Sequence, residues 1–225
     1  MENLKILSMN LGKRYISVRN RNRKQVVAEF VNNGCYFHDG SYDVIMLQGD
    51  CVGHNIDLNH LEKNGYKIYN SNNKAVTLSN YNNFFSSSLD SRIFNVSTLC
   101  YENKPLALVN INCKDIKYFT DVCDCCKKYS DFRDEHYIQS RIITGRFPSE
   151  VDTNEFCDIF DLEDVSTLVA MDSYKENNRE RLNHFFISRN LECKSIHKLV
   201  GMTEVTKIGE AYPMEVSLSY KKVLK

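Results

Sequence analysis

Apolar runs of strand length alternate along this chain with stretches in which apolar residues recur at helical spacing. Ile6, Leu7, Ser8, Met9 and Asn10 have the near-continuous apolarity of a buried strand. Over residues 25–33, Val26, Val27, Phe30 and Val31 fall on one face of a helix that Gly34 ends. Residues 42–48 predict a second strand, and residues 75–79 with residues 93–99 predict a strand pair. Residues 106–111 form another run of buried-strand type. A helix over residues 135–140 should feed a strand at residues 142–145, and residues 184–188 and 216–220 read as strands in the last third.

No internal repeat and no Pro- or Gly-rich linker interrupts this order. The layout predicts an α/β protein: a four-layered α/β sandwich with two central mixed β-sheets flanked by helices, without the regular βαβ rhythm of a doubly wound sheet. With 225 residues and 42% apolar content, one domain over residues 1–225 can bury a sizeable core. The charges, 29 basic against 29 acidic, set up no whole-chain field that demands an anionic partner. The nine cysteines follow a start, Met1-Glu2-Asn3-Leu4-Lys5, that lacks the form of a signal peptide, so they are expected to be reduced in an intracellular, cytoplasmic-type setting. No apolar run approaches the roughly 20 residues of a membrane helix, so no membrane partner is expected. Abundant Asn, Lys, Ile and Tyr fit AT-rich coding of the kind found in some viruses and parasites.

In this order, the segments resemble the motifs of the endonuclease/exonuclease/phosphatase superfamily, particularly its apurinic endonuclease, DNase I-like branch. Residues 4–12, LKILSMNLG, are similar to the opening strand whose Asn lies beside the metal, which places Asn10 there. Residues 42–48, YDVIMLQ, are similar to the second motif, in which Leu-Gln precedes a metal-binding Glu; here Gln48 is followed by Gly49. Residues 75–81, AVTLSNY, resemble the strand that leads into Ser-Lys-Tyr, and Val109-Asn110-Ile111-Asn112 resembles the Asn-Thr-His motif with Asn112 in place of His. Residues 142–148, IITGRFP, stand where the family has Gly-Asp-Phe-Asn, and residues 181–188, RLNHFFIS, where it has Arg-Ile-Asp-Tyr-Ile-Phe-Val-Ser. Residues 209–214, GEAYPM, take the place of Ser-Asp-His-Tyr-Pro-Val. Each match is weak alone, and their shared order across nearly the whole chain carries the resemblance.

What the resemblance implies for chemistry is loss. Family enzymes hold Mg²⁺ with acidic residues and use it to neutralise the scissile phosphate. At the matching positions Gly49 supplies no ligand and Asn183 a neutral one. Arg146 replaces the carboxylate that orients the attacking water, and Pro148 removes the neighbouring amide side chain. The terminal Asp-His dyad becomes Glu210-Ala211, and a methyl group transfers no proton. No catalytic set is therefore expected to be intact at the pseudo-site of Asn10, Gln48, Asp50, Asn110, Asn112, Arg146, Asn183 and Glu210. No cofactor and no tightly bound Mg²⁺ or Mn²⁺ is expected; Mg²⁺ enters only if displaced carboxylates rebuild the site.

Two carboxylates bear on such compensation. Asp50 enters the site only if its strand ends or bulges after Gln48, because adjacent strand residues face opposite ways. Glu210 keeps a carboxylate with one extra methylene, and its plain alternative is a solvated loop charge. Asn10, Gln48 and Asn110 keep family identities, but buried amides also persist where they hold structure together by hydrogen bonds. Lys13, Arg14, Arg19, Arg21, Arg23 and Lys24 form a basic segment without an intervening acid, and with Arg146 they are the candidate nucleic-acid contacts. The alternative is an exposed loop and helix start whose charges keep it solvated, with Arg146 neutralising Glu210 or another acid left behind. Cys123, Cys125 and Cys126 include a C-x-x-C spacing with His136 beyond, but no second close pair completes a zinc set. The expected function is binding without turnover, with a protein partner first, a nucleic acid second, and a divergent Mg²⁺-dependent nuclease or phosphodiesterase third.

Overall fold

The computed structural model describes residues 3–10, 42–49, 62–63, 65–71, 74–81, 84–90, 93–131, 140–169, 183–198 and 213–222. Their strands, numbered in chain order, form two six-stranded sheets. The first runs β11 (Leu191–Lys198), β12 (Met214–Tyr220), β1 (Leu4–Asn10), β2 (Val44–Gln48), β4 (Ala75–Ser79) and β3 (Lys67–Ser71). The second runs β5 (Phe84–Asp90), β6 (Phe94–Tyr101), β7 (Lys104–Asn112), β8 (Ser140–Arg146), β10 (Asn183–Ser188) and β9 (Leu162–Asp164). Both sheets are mixed: β1 and β2 are parallel, as are β7 and β8, and the remaining neighbours are antiparallel.

Strand alternation decides what each face meets. Leu4 and Ile6 of β1, Val44 and Met46 of β2, Leu106 and Leu108 of β7, and Phe185 and Ile187 of β10 join one core between the sheets. The alternate residues of the second sheet, among them Val109, Ile143 and Phe186, face outward into another core with α1 (Phe119–Asp131) and α2 (Thr153–Phe160). Asp152 caps α2 by accepting from the backbone N–H of Asn154 and Glu155, and Asp161, at φ 53°, ends it. Arg141 Nη2 donates to the carbonyl of Phe160 at 3.1 Å, which ties the end of α2 to the sheet.

The α/β sandwich predicted from the sequence is therefore observed as two stacked mixed sheets with helices on the second. On the far side, Leu7, Ile45, Leu47 and Leu78 of the first sheet are also buried. The helix predicted over residues 25–33 lies outside the described residues, as does the predicted helix over 135–140 up to Ser140, which already begins β8. One pairing needs correction. β4 and β6 are not hydrogen-bonded neighbours but lie in different sheets, with β4 between β2 and β3 and β6 between β5 and β7. Both are strands as predicted, and Thr77 Oγ1 donates to Asn95 Oδ1 at 2.8 Å, so they face each other across the sandwich. The two runs read as partners, but β5 lies between them in the chain and β6 pairs with β5 and β7 instead.

Candidate functional site

The inward stripe of each central strand changes character near one end of the sandwich. On β1, Leu4 and Ile6 give way to Ser8 and Asn10; on β2, Met46 to Gln48; on β7, Leu108 to Asn110 and Asn112; on β8, Ile142 to Thr144 and Arg146. β10 runs the other way, so its first inward residue, Asn183, lies at the same end, beside Arg146. Parallel pairing brings the C-terminal ends of β1 with β2 and of β7 with β8 together, and polar side chains from both sheets gather there.

The deeper level joins the sheets. Gln48 Nε2 has two protons and three acceptors in reach: Asn110 Oδ1 at 2.7 Å, the Met46 carbonyl at 3.0 Å and Ser8 Oγ at 3.2 Å. Asn110 Nδ2 donates to the carbonyls of Val76 at 2.9 Å and Leu47 at 3.2 Å. The Thr144 hydroxyl holds one proton, and the His184 carbonyl can only accept. Thr144 therefore donates to that carbonyl at 2.8 Å and takes the Ser8 hydroxyl proton at 2.9 Å. Ser8, Gln48, Asn110 and Thr144 are fully shielded from solvent.

The upper level holds the candidate ligand-facing groups. Asn112, Arg146 and Asn183 stand in register on β7, β8 and β10, opposite Asn10 and Gln48 on β1 and β2. Asn10 Nδ2 donates to Asn183 Oδ1 at 3.3 Å across the gap, and Asn112 Nδ2 reaches the Lys74 carbonyl at 3.4 Å. The structure thus brings together six of the sequence-predicted site residues: Asn10, Gln48, Asn110, Asn112, Arg146 and Asn183. Asp50 and Glu210 lie outside the described residues, as does the basic segment of Lys13, Arg14, Arg19, Arg21, Arg23 and Lys24.

Backbone geometry fixes two neighbouring positions. β2 ends at Gln48, and Gly49 follows at φ 145°, a conformation that side chains other than glycine rarely adopt. Gly145, at φ 125°, comes so close to β7 that a Cβ would sit 2.0 Å from the Ile111 carbonyl oxygen.

These donors do not fit a hard divalent cation. Mg²⁺ takes oxygen ligands in which carboxylates supply the compensating charge. The described inward groups at this end are neutral amides and hydroxyls with one guanidinium. Among the described residues, two acids with shielded side chains face elsewhere: Glu215 alternates outward on β12 and accepts from the Tyr42 hydroxyl at 3.4 Å, and Asp164 lies on the helix side of the second sheet. Among the described residues, no group of three His, Cys, Asp or Glu is placed to hold a metal. Cys123 and Cys126 lie on α1 in the helix-side core, where burial pushes both thiols up, and His136 is outside the described residues.

One polar pair was not singled out from sequence. His184 Nδ1 lies 2.8 Å from Asp164 Oδ2, with both side chains almost fully buried. The imidazole stacks on Phe186, with centroids 5.4 Å apart, and meets Phe147 edge-on. Burial alone would raise the Asp164 pKa, but hydrogen bonds from His184 and Ser166 and the charge of His184 outweigh it and hold the group below the usual carboxylate range. In sequence, Asp164 is one acid in a loop-like stretch, and only the β9 register, Asp164 opposite Phe186, sets it against His184.

This architecture is the α/β sandwich of endonuclease/exonuclease/phosphatase proteins. A member of that family from Leptotrichia buccalis superposes with a TM-score of 0.63 at 14% identity, covering 96% of this chain and 100% of that one. The human Nocturnin catalytic domain with bound sulfate gives 0.68 at 15% identity, covering 97% and 95%. D. rerio TDP2 complexed with a single-strand DNA product gives 0.60 at 11% identity, covering 96% and 99%. At these identities the likeness is one of fold. No family model and no curated protein matches the sequence.

Proposed function

We propose that the chain is a binding domain on a phosphodiesterase scaffold, with catalysis absent or vestigial and a protein as its partner. The observation that carries this is the inward row at the strand ends: Asn112, Arg146 and Asn183 facing Asn10 and Gln48, without a carboxylate among them. Hydrolysis of a phosphodiester on this scaffold needs charge neutralisation and an activated water. Neutral amides provide neither, and a guanidinium repels the metal that would provide both. The same amides suit binding, because carboxamides offer both donors and acceptors.

A second reading, nucleic-acid binding without turnover, is favoured by Arg146, whose planar fork matches a phosphate in two parallel hydrogen bonds. Two fold neighbours are described with sulfate and with a single-strand DNA product. A divergent Mg²⁺-dependent nuclease would require Asp50 and Glu210 to converge on Asn10.

The deciding assay compares purified wild type with Asn10→Ala/Glu210→Ala on abasic DNA, single-stranded RNA and simple phosphodiesters, with and without Mg²⁺ or Mn²⁺. Equal background rates are expected. A metal-dependent excess in the wild type would sink the non-catalytic reading, as would stoichiometric micromolar Mg²⁺ binding by calorimetry that is lost on changing Asp50 or Glu210.

A further inference from the structure

Asn112 and Asn183 flank Arg146 in register on neighbouring strands, both pointing between the sheets. They are 2% and 5% exposed, and each keeps one buried polar atom without a hydrogen-bond partner among the described residues: Oδ1 of Asn112 and Nδ2 of Asn183. The Lys74 carbonyl can only accept, which orients Asn112, and Asn183 is oriented with its oxygen toward Asn10. Asn112 Nδ2 is spent on the Lys74 carbonyl, and Asn183 Oδ1 accepts from Asn10. The row therefore presents an unused acceptor at one side, an unused donor at the other, and a cation between them. Unpaired buried groups are costly and uncommon in folded proteins, so two of them beside one guanidinium point to a group that docks there.

We infer that this row receives an amide group of a partner polypeptide, its carbonyl oxygen taken by Asn183 Nδ2 and its N–H by Asn112 Oδ1. The inference rests on the reading of the domain as a binding module. Alternatives match the donor set less well. An ionised phosphodiester brings acceptors only, so it would serve Asn183 and set negative charge against Asn112 Oδ1. A metal ion or ammonium would serve Asn112 Oδ1 but face the Arg146 guanidinium. The dimensions suit an amide: strands two apart place Asn112 and Asn183 backbones roughly 10 Å from each other. An amide with one hydrogen bond on each side spans roughly 8 Å, and the flanking side chains can converge on it.

The test titrates the ¹⁵N-labelled full chain with N-acetylglycine methylamide as a peptide probe, and in parallel with dimethyl phosphate and uridine, following the side-chain NH₂ signals of Asn112 and Asn183. A saturable shift of both signals with the peptide probe is expected. Asn183→Asp removes the donor and should weaken that probe on the order of ten-fold, whereas Asn112→Asp keeps an acceptor and should retain it. Both replacements are near-isosteric, and the wild-type titration stands alone if either fails to fold. Saturation by dimethyl phosphate or uridine in preference to the peptide probe would overturn the inference in favour of a nucleic-acid ligand. No saturable response to any probe would overturn it in favour of buried water at both atoms. Metal-dependent hydrolysis in the assay above would reject the binding reading itself, whereas a silent titration with no hydrolysis rejects only the amide.

Discussion

Gly145 is held by a close approach of two strands that leaves no room for a side chain. A Cβ there would meet the Ile111 carbonyl oxygen at 2.0 Å, and that oxygen belongs to the neighbouring strand, so relief requires the β7–β8 ladder to move. Gly145→Ala should destabilise the fold by about 3 kcal/mol or more, combining overpacking with a strained φ. Urea denaturation showing a change below about 1 kcal/mol, a surface-like value, would contradict this close approach. Asp164 supplies a pH-linked term of definite sign. Its folded pKa is depressed, so its stabilisation is present above the unfolded value of about 3.9 and fades as pH falls through the folded one. Asp164→Asn should cost about 2 kcal/mol at neutral pH, as expected for lost charge-assisted hydrogen bonds, and the gap to wild type should narrow toward pH 3. A gap that stays constant over that range would show that Asp164 acts through shape alone.

At the level of strands, the switch from apolar to polar inward residues was legible in the sequence in outline. Ile6-Leu7-Ser8-Met9-Asn10 and residues 106–112 show it directly, and the family resemblance picked out Asn10, Gln48, Asn110 and Asn112. Their pairing was not legible, because it depends on which strands face each other across two sheets. The runs at β4 and β6 read as a strand pair although they lie in opposite layers. Likewise α1 and α2 were missed because their apolar faces are short and built partly from Cys123, Cys126, Phe156 and Phe160, and β9 because three residues carry too little periodicity. The Gln48–Asn110 bond at 2.7 Å is the shortest side-chain link in the network between the sheets. A double-mutant cycle with Gln48→Leu and Asn110→Leu should give a coupling of about 1–2 kcal/mol, since either single change leaves buried partners unpaired. Additive single effects would mean that the two amides act independently.

Across the whole molecule, 29 basic and 29 acidic residues leave no net charge, so a nucleic acid would be drawn by local charge or not at all. The local source is the segment with Lys13, Arg14, Arg19, Arg21, Arg23 and Lys24, with Arg146 at the inward row. If phosphates are neutralised there, affinity must fall with salt at a slope set by the number of contacts, because released counterions supply the free energy. Reversing Arg19, Arg21 and Arg23 would then flatten the slope of log affinity against log salt by about 2–3, alike for every sequence tested. Arg146→Ala would add a smaller loss without changing sequence preference. The protein-partner reading requires a different result: short DNA and RNA should give no saturable change in fluorescence anisotropy at low salt, for wild type and both variants. Low salt is the demanding condition, since it exaggerates weak contacts between phosphates and basic side chains. Saturable binding there, lost on reversing the three arginines and steep in salt, would move the assignment to a nucleic-acid module and make the charge run the principal contact surface.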